Sequence, residues 1–106
     1  MKIEKLTESE ELVMRAIWDN RKDPELKDVA ERVNDVYGKS WKPQTVSTFL
    51  AKLVRKNYLK MKRTGKIYTY TVLISADMYN KEQLKRLYIF LYQNNKEAMA
   101  QDLEEL

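Results

Sequence analysis

The sequence predicts a mostly α-helical fold with one small β-hairpin, on three observations. Apolar residues recur at helical spacing in three successive segments up to about residue 55. The period then shortens to two over residues 58–74, and helical spacing returns from residue 75. The chain has 106 residues, the size of one compact domain with an appended element. With 43% hydrophobic and 34% charged residues it has the composition of a folded protein rather than a disordered one.

The first helix starts at Thr7, because Thr7-Glu-Ser-Glu10 has the form of a capping box, in which the first and last side chains satisfy each other's backbone donors. Leu12, Val13, Ala16 and Ile17 share one face, which Met14 and Trp18 widen. Residues 19–23 read as a polar connection. Asp23 is placed as the N-cap of the second helix and Pro24 at its first position, where the missing N–H is no loss. Leu26, Val29, Ala30, Val33, Val36 and Tyr37 continue it, and Gly38 suits a left-handed C-terminal cap.

Pro43 opens the third helix with Lys42 as its N-cap, since the residue before a proline avoids the helical region. Its core stripe is Val46, Phe49, Leu50, Leu53 and Val54. The opposite side carries Gln44, Thr48, Ala51, Lys52 and Arg55, flanked by Thr45 and Ser47. Asn57 takes the left-handed position that ends the helix.

In residues 58–74, Thr64-Gly65 separates two β-rich runs as a two-residue hairpin turn. With Arg63 opposite Lys66, Met61 faces Tyr68 and Leu59 faces Tyr70, while Lys60 faces Thr69 and Lys62 faces Ile67. One face is then apolar, with Tyr58, Tyr68 and Tyr70 turned to the core, and the other is basic. Ser75 caps a last long helix that runs to about Gln93 with a stripe of Leu84, Leu87, Tyr88 and Leu91. Ile89, Phe90 and Tyr92 make residues 87–92 apolar nearly all round, so this helix requires cover on more than one side. Asn94-Asn95 breaks it, and Met99, Leu103 and Leu106 mark a short second amphipathic helix.

Three short helices followed by a hairpin is the order of a winged helix-turn-helix, with a two- or three-stranded wing. Residues 1–74 are assigned to this domain and residues 75–106 to a C-terminal helical region for dimerisation through Leu84, Leu87, Tyr88, Phe90, Leu91 and Tyr92.

The net charge of +4 is unevenly distributed. Residues 1–37 carry 7 basic and 10 acidic side chains, and residues 67–106 carry 4 and 6. The 29 residues between them hold Lys39, Lys42, Lys52, Arg55, Lys56, Lys60, Lys62, Arg63 and Lys66 and no Asp or Glu. A solvated helix face interleaves both signs, so an acid-free window of this length points to a polyanionic partner. A basic helix fits the major groove with its N-terminal residues at base edges, and a basic hairpin fits the neighbouring backbone. The candidate DNA contacts are therefore Lys42, Gln44, Thr45, Ser47, Thr48, Lys52, Arg55, Lys62, Arg63 and Lys66. Gln44 has the paired donor and acceptor for adenine, and Thr45 and Thr48 suit a thymine methyl or a phosphate.

The chain has no cysteine and no histidine, so no catalytic residues, metal site or cofactor are assigned. Ser9, Ser40, Ser47 and Ser75 lack a histidine partner, and the only glycines, Gly38 and Gly65, make no phosphate-binding loop. No apolar run approaches the roughly 18 residues of a membrane span, so no membrane partner is expected and the location is cytoplasmic. A winged-helix module that binds protein or RNA is the alternative, since fold alone does not assign function. Against it stand the acid-free third helix and wing, and the scarcity of exposed aromatics for stacking single-stranded bases.

Three stretches resemble one family: Leu6-Thr-Glu-Ser-Glu-Glu-Leu-Val-Met-Arg-Ala-Ile-Trp18, Trp41-Lys-Pro-Gln-Thr-Val-Ser-Thr-Phe-Leu-Ala-Lys-Leu-Val-Arg-Lys-Asn-Tyr-Leu59 and Thr64-Gly-Lys-Ile-Tyr-Thr-Tyr70. They are similar to the penicillinase and methicillin-resistance repressors (BlaI/MecI), a family with a copper-responsive branch (CopY). The resemblance implies a bacterial dimeric repressor whose winged helix reads an inverted-repeat operator and whose C-terminal helices dimerise. The chain departs from the pattern with Lys42 where a serine often precedes the proline, and Asn57 in place of glycine. Its lack of cysteine excludes copper sensing by thiolates, and it has no Asn-Phe dipeptide of the kind cleaved in the β-lactam-responsive members. The inducing signal, and any upstream signalling or protease partner, are left unassigned.

Overall fold

A computed structural model describes residues 2–20 and 22–106; Met1, and Arg21 of the expected polar connection, lie outside the described residues. The elements are α1 (Glu8–Trp18), α2 (Leu26–Tyr37), α3 (Pro43–Arg55), β1 (Leu59–Thr64), β2 (Ile67–Val72), α4 (Ala76–Arg86), a π-helical stretch Leu87–Leu91, and α5 (Lys96–Glu104). They form two compact units, Met1–Ser75 and Ala76–Leu106. Among the described residues no helix is long and apolar enough to cross a membrane.

In the first unit α1 starts where its capping box requires: Thr7 Oγ1 accepts from the Glu10 amide at 3.2 Å, and Glu10 Oε1 accepts from the Thr7 amide at 2.8 Å. The second helix starts later than the sequence predicts. Its N-cap is Glu25, whose amide donates to Asp28 Oδ2 at 2.9 Å. Asp23 is drawn away from the cap because its carboxylate accepts from the Thr71 hydroxyl on β2 at 2.8 Å, while the Pro24 carbonyl accepts from the Tyr70 amide at 3.0 Å. These two bonds tie the α1–α2 connection to the hairpin, which stays two-stranded. Gly38 closes α2 at φ 69°, Lys42 is the N-cap of α3 ahead of Pro43, and Asn57 is left-handed at φ 63°.

The core gathers Leu6, Val13, Met14 and Ile17 with Val29 and Val33 of α2, Val46, Leu50 and Leu53 of α3, and Tyr58, Leu59, Tyr70 and Ile74. At the margin, Trp18 Nε1 donates to the Ile74 carbonyl at 3.0 Å, and Tyr58 donates its hydroxyl to the Glu4 carbonyl. The Tyr37 hydroxyl donates to Asp19 Oδ2 at 2.6 Å; burial and then that carboxylate raise the phenol's pKa above its ordinary value. Val36 points outward.

The hairpin register differs from the expected one. Leu59 pairs with Val72, Met61 with Tyr70, Lys62 with Thr69 and Thr64 with Ile67, so the loop is Gly65-Lys66. Gly65 has φ 66°, the positive angle required at the first loop position of a type II′ turn. The shift of the loop by one residue changes every partner by two, which leaves each side chain on its expected face. Burial along that face nevertheless stops early. Tyr70 and Leu59 are buried, whereas Met61 and Tyr68 are 50% and 44% exposed, because the outer half of the hairpin projects beyond the core.

In the second unit the helix does not continue as α-helix to Gln93. After Arg86 it widens, the Tyr92 amide bonding the Leu87 carbonyl five residues back at 3.1 Å. Gln93 and Asn94 then turn left-handed, and Asn95 Oδ1 accepts from the Ala98 amide at 3.0 Å to start α5. Met99 is buried, as is Tyr79 of α4, whereas Leu103 and Leu106 are exposed.

Candidate nucleic-acid interface

The outer side of α3 presents Gln44, Thr45, Ser47, Thr48, Lys52 and Arg55, all exposed, with the exposed Lys42 at its N-cap. Val46, Leu50 and Leu53 anchor the inner side with no exposure, so the outer residues ride on a fixed rod. Thr48 donates its hydroxyl to the Gln44 carbonyl at 3.1 Å, which spends its one donor on the helix backbone while the side chain stays exposed. The first turn of α3 holds no carboxylate and Lys42 makes no side-chain cap, in contrast to α1 with Glu8, Glu10 and Glu11 there.

The wing adds Lys62, Arg63 and Lys66, all exposed, with Lys60 beside Lys62 on the same face of β1. Arg63 is held in place: its Nε donates to the Gly65 carbonyl at 2.8 Å and its guanidinium lies 5.6 Å from the Tyr68 ring centre. Of the nine cations in the acid-free window, Lys56 alone is withdrawn. Its ammonium lies 2.7 Å from Glu10 Oε1 and 3.3 Å from the Lys5 carbonyl, pinning the end of α3 to the start of α1. Burial pushes the Glu10 carboxyl up, but the Lys56 ammonium and the Thr7 donors outweigh it and hold it below its ordinary value. The other eight cations are exposed.

Sequence reasoning gave no structural role to Asn34 or Trp41 and read Asp23 as a helix cap, yet all three shape this surface. Asn34 of α2 brackets the backbone of Trp41, accepting from its amide at 2.9 Å and donating to its carbonyl at 3.0 Å. Trp41 packs on Phe49 with ring centres 5.0 Å apart. Asp23 fixes the wing through Thr71. Nothing in the local spacing of these residues signals such long-range bonds.

The residues assigned to dimerisation lie in the second unit. Leu84, Leu87, Phe90 and Leu91 are exposed, and Tyr88 and Tyr92 are half-buried. The Tyr88 hydroxyl donates to the Asn94 carbonyl at 2.9 Å, tying the π-helical stretch to the turn after it, and that of Tyr92, just past the stretch, to Asp102 Oδ2 of α5 at 3.0 Å. An open apolar groove of about 560 Å³ between α4 and α5 is lined by Leu84, Tyr88, Met99 and Leu103.

A helix-turn-helix with an acid-free outer face and a cationic hairpin beside it defines a winged-helix protein of the kind that serves as a repressor's DNA-binding domain. The sequence matches the penicillinase repressor family over residues 6–105, and the chain belongs to that family. Solved structures that resemble it include two of BlaI. One is the solution structure of the monomeric form of BlaI from Bacillus licheniformis in complex with the blaP half-operator, at 27% identity over 74% of this chain and 92% of that one, with a TM-score of 0.60. The other is the solution structure of the DNA-binding domain of the repressor BlaI, at 27% identity, the same coverage and a TM-score of 0.61. No curated protein matches the sequence.

Proposed function

We propose that this protein is a transcriptional repressor that binds an inverted-repeat DNA operator as a homodimer. The observation that carries the reading is the exposed surface of α3 and the wing, with seven available cations, an eighth on the preceding turn at Lys39, and no carboxylate between residues 38 and 66. In this reading α3 enters the major groove. Gln44 reads a base edge and Thr45, Ser47 and Thr48 line the approach, with Thr48 offering its methyl to thymine. Lys42, Lys52 and Arg55, with Lys62, Arg63 and Lys66 of the wing, neutralise phosphates on either side. The family membership and the DNA-bound BlaI neighbour support it.

Binding to a random duplex and to matched single-stranded RNA, titrated against salt, tests the reading. With about six phosphates neutralised, log K for the duplex falls against log salt with a slope near −5. Gln44→Ala relaxes preference at one or two base pairs of a selected operator, at roughly 1–3 kcal/mol on the preferred site, whereas Lys66→Ala weakens all sequences about equally. A flat salt response, or tighter binding to the RNA, overturns the proposal.

A further inference from the structure

The two tryptophans of the first unit are used differently. Trp18 spends its indole N–H on the Ile74 carbonyl. Trp41 is half-buried, and among the described residues its Nε1 neither donates to a protein group nor counts among the buried unsatisfied atoms, so that donor is open to solvent. The rest of Trp41 is fixed. Asn34 holds both its amide and its carbonyl, Phe49 packs on its ring, and the Lys39 ammonium lies 5.8 Å from the ring centre. On the other side of the pair, the Lys52 ammonium lies 5.6 Å from the centre of Phe49. The outcome is a ledge in the order Lys39, Trp41, Phe49, Lys52, beginning on the α2–α3 turn and joining the outer face of α3 at Lys52.

Resting on the DNA-binding reading above, we propose that this ledge is a separate phosphate-backbone contact, with the Trp41 indole N–H donating to a phosphate oxygen and Lys39 supplying charge beside it. An indole nitrogen is a donor only, and a phosphate is acceptor-only, so the chemistry matches with no third group. In helix-turn-helix docking the segment before the recognition helix runs along the backbone rather than at the base edges, which places the turn at a phosphate. The three constraints on Trp41 mean that little side-chain freedom is lost on contact. Asn34 acts as a positioning residue: it holds the turn and touches no DNA.

The test uses the full chain and duplex DNA. Trp41→Phe keeps the ring packing and deletes only the donor. It lowers affinity about tenfold on every sequence and leaves the salt slope unchanged, because a neutral donor releases no cation. Lys39→Ala, in contrast, makes the slope shallower by about 0.9. In phosphate-ethylation interference, one phosphate whose modification blocks the wild-type protein becomes silent for Trp41→Phe. Asn34→Ala gives the affinity loss of Trp41→Phe without altering the salt slope. If the wild type binds duplex DNA and Trp41→Phe binds as tightly with the same interference pattern, the ledge contact is overturned and the DNA reading stands. If the wild type binds no duplex, both fall together.

Discussion

The ammonium of Lys56 and the carboxylate of Glu10 form a charge pair at 2.7 Å whose acid partner is almost fully buried, and this pair sets Lys56 apart from the eight exposed cations of the window. Removing one partner of such a pair leaves an uncompensated charge inside. Lys56→Met should therefore cost about 3 kcal/mol of stability at neutral pH, read by urea unfolding, while duplex affinity of the folded variant stays at the wild-type level. The Glu10 carboxyl is depressed in the folded state, so its contribution is present above the unfolded value of about 4.3 and is lost as pH falls through the lower folded one. In Lys56→Met the same carboxyl is buried without its cation and gains a proton more readily, so the stability deficit shrinks on acidification. A deficit that grew toward low pH would contradict this assignment. The Thr7–Glu10 box was legible because its members are three residues apart, but the third partner stands 46 residues away and leaves no mark on local spacing.

At the scale of elements, three of the boundaries follow from single residues whose backbone preference is decisive: Pro43, Gly38 and Asn57. Where an end is settled by a bond to a distant strand the sequence is silent, which is why Asp23 reads as a cap and serves as a tether to Thr71. The π-helical stretch at Leu87–Leu91 is likewise invisible, since five consecutive apolar residues fit either helical period. The hairpin is the element whose geometry rests on one residue. A Cβ at Gly65 would meet nothing within 4 Å, so the whole penalty of Gly65→Ala is the positive φ of 66°. We expect a loss of about 1–2 kcal/mol in urea unfolding, together with weaker binding to all duplexes as the loop that carries Lys66 and holds Arg63 through the Gly65 carbonyl is disturbed. An unchanged unfolding midpoint would show that the loop readily adopts another turn.

At the scale of the whole molecule, the apolar side chains are divided unequally between the two units. The first gathers most of its large hydrophobic residues in one core and leaves Met61, Ile67 and Tyr68 exposed on the projecting wing, whereas the second leaves Phe90 and Leu91 70% and 72% exposed, with Leu84, Leu87 and Leu103 exposed as well. Such a patch on a small helical unit marks an interaction surface. A second copy is the occupant that the proposed inverted-repeat operator requires, because a two-fold pair presents the same face twice and brings two α3 helices to two half-sites. Replacing Phe90 and Leu91 with glutamate should give a folded monomer in sedimentation at micromolar concentration. Its affinity for one half-site is unchanged, because the cations of α3 and the wing are untouched. On the full operator it loses two or more orders of magnitude, because the second half-site no longer binds at the high effective concentration that a linked partner provides. A double variant that stayed dimeric, or a monomer that still held the full operator at wild-type affinity, would place the dimer contact elsewhere and return these leucines and Phe90 to a purely local role.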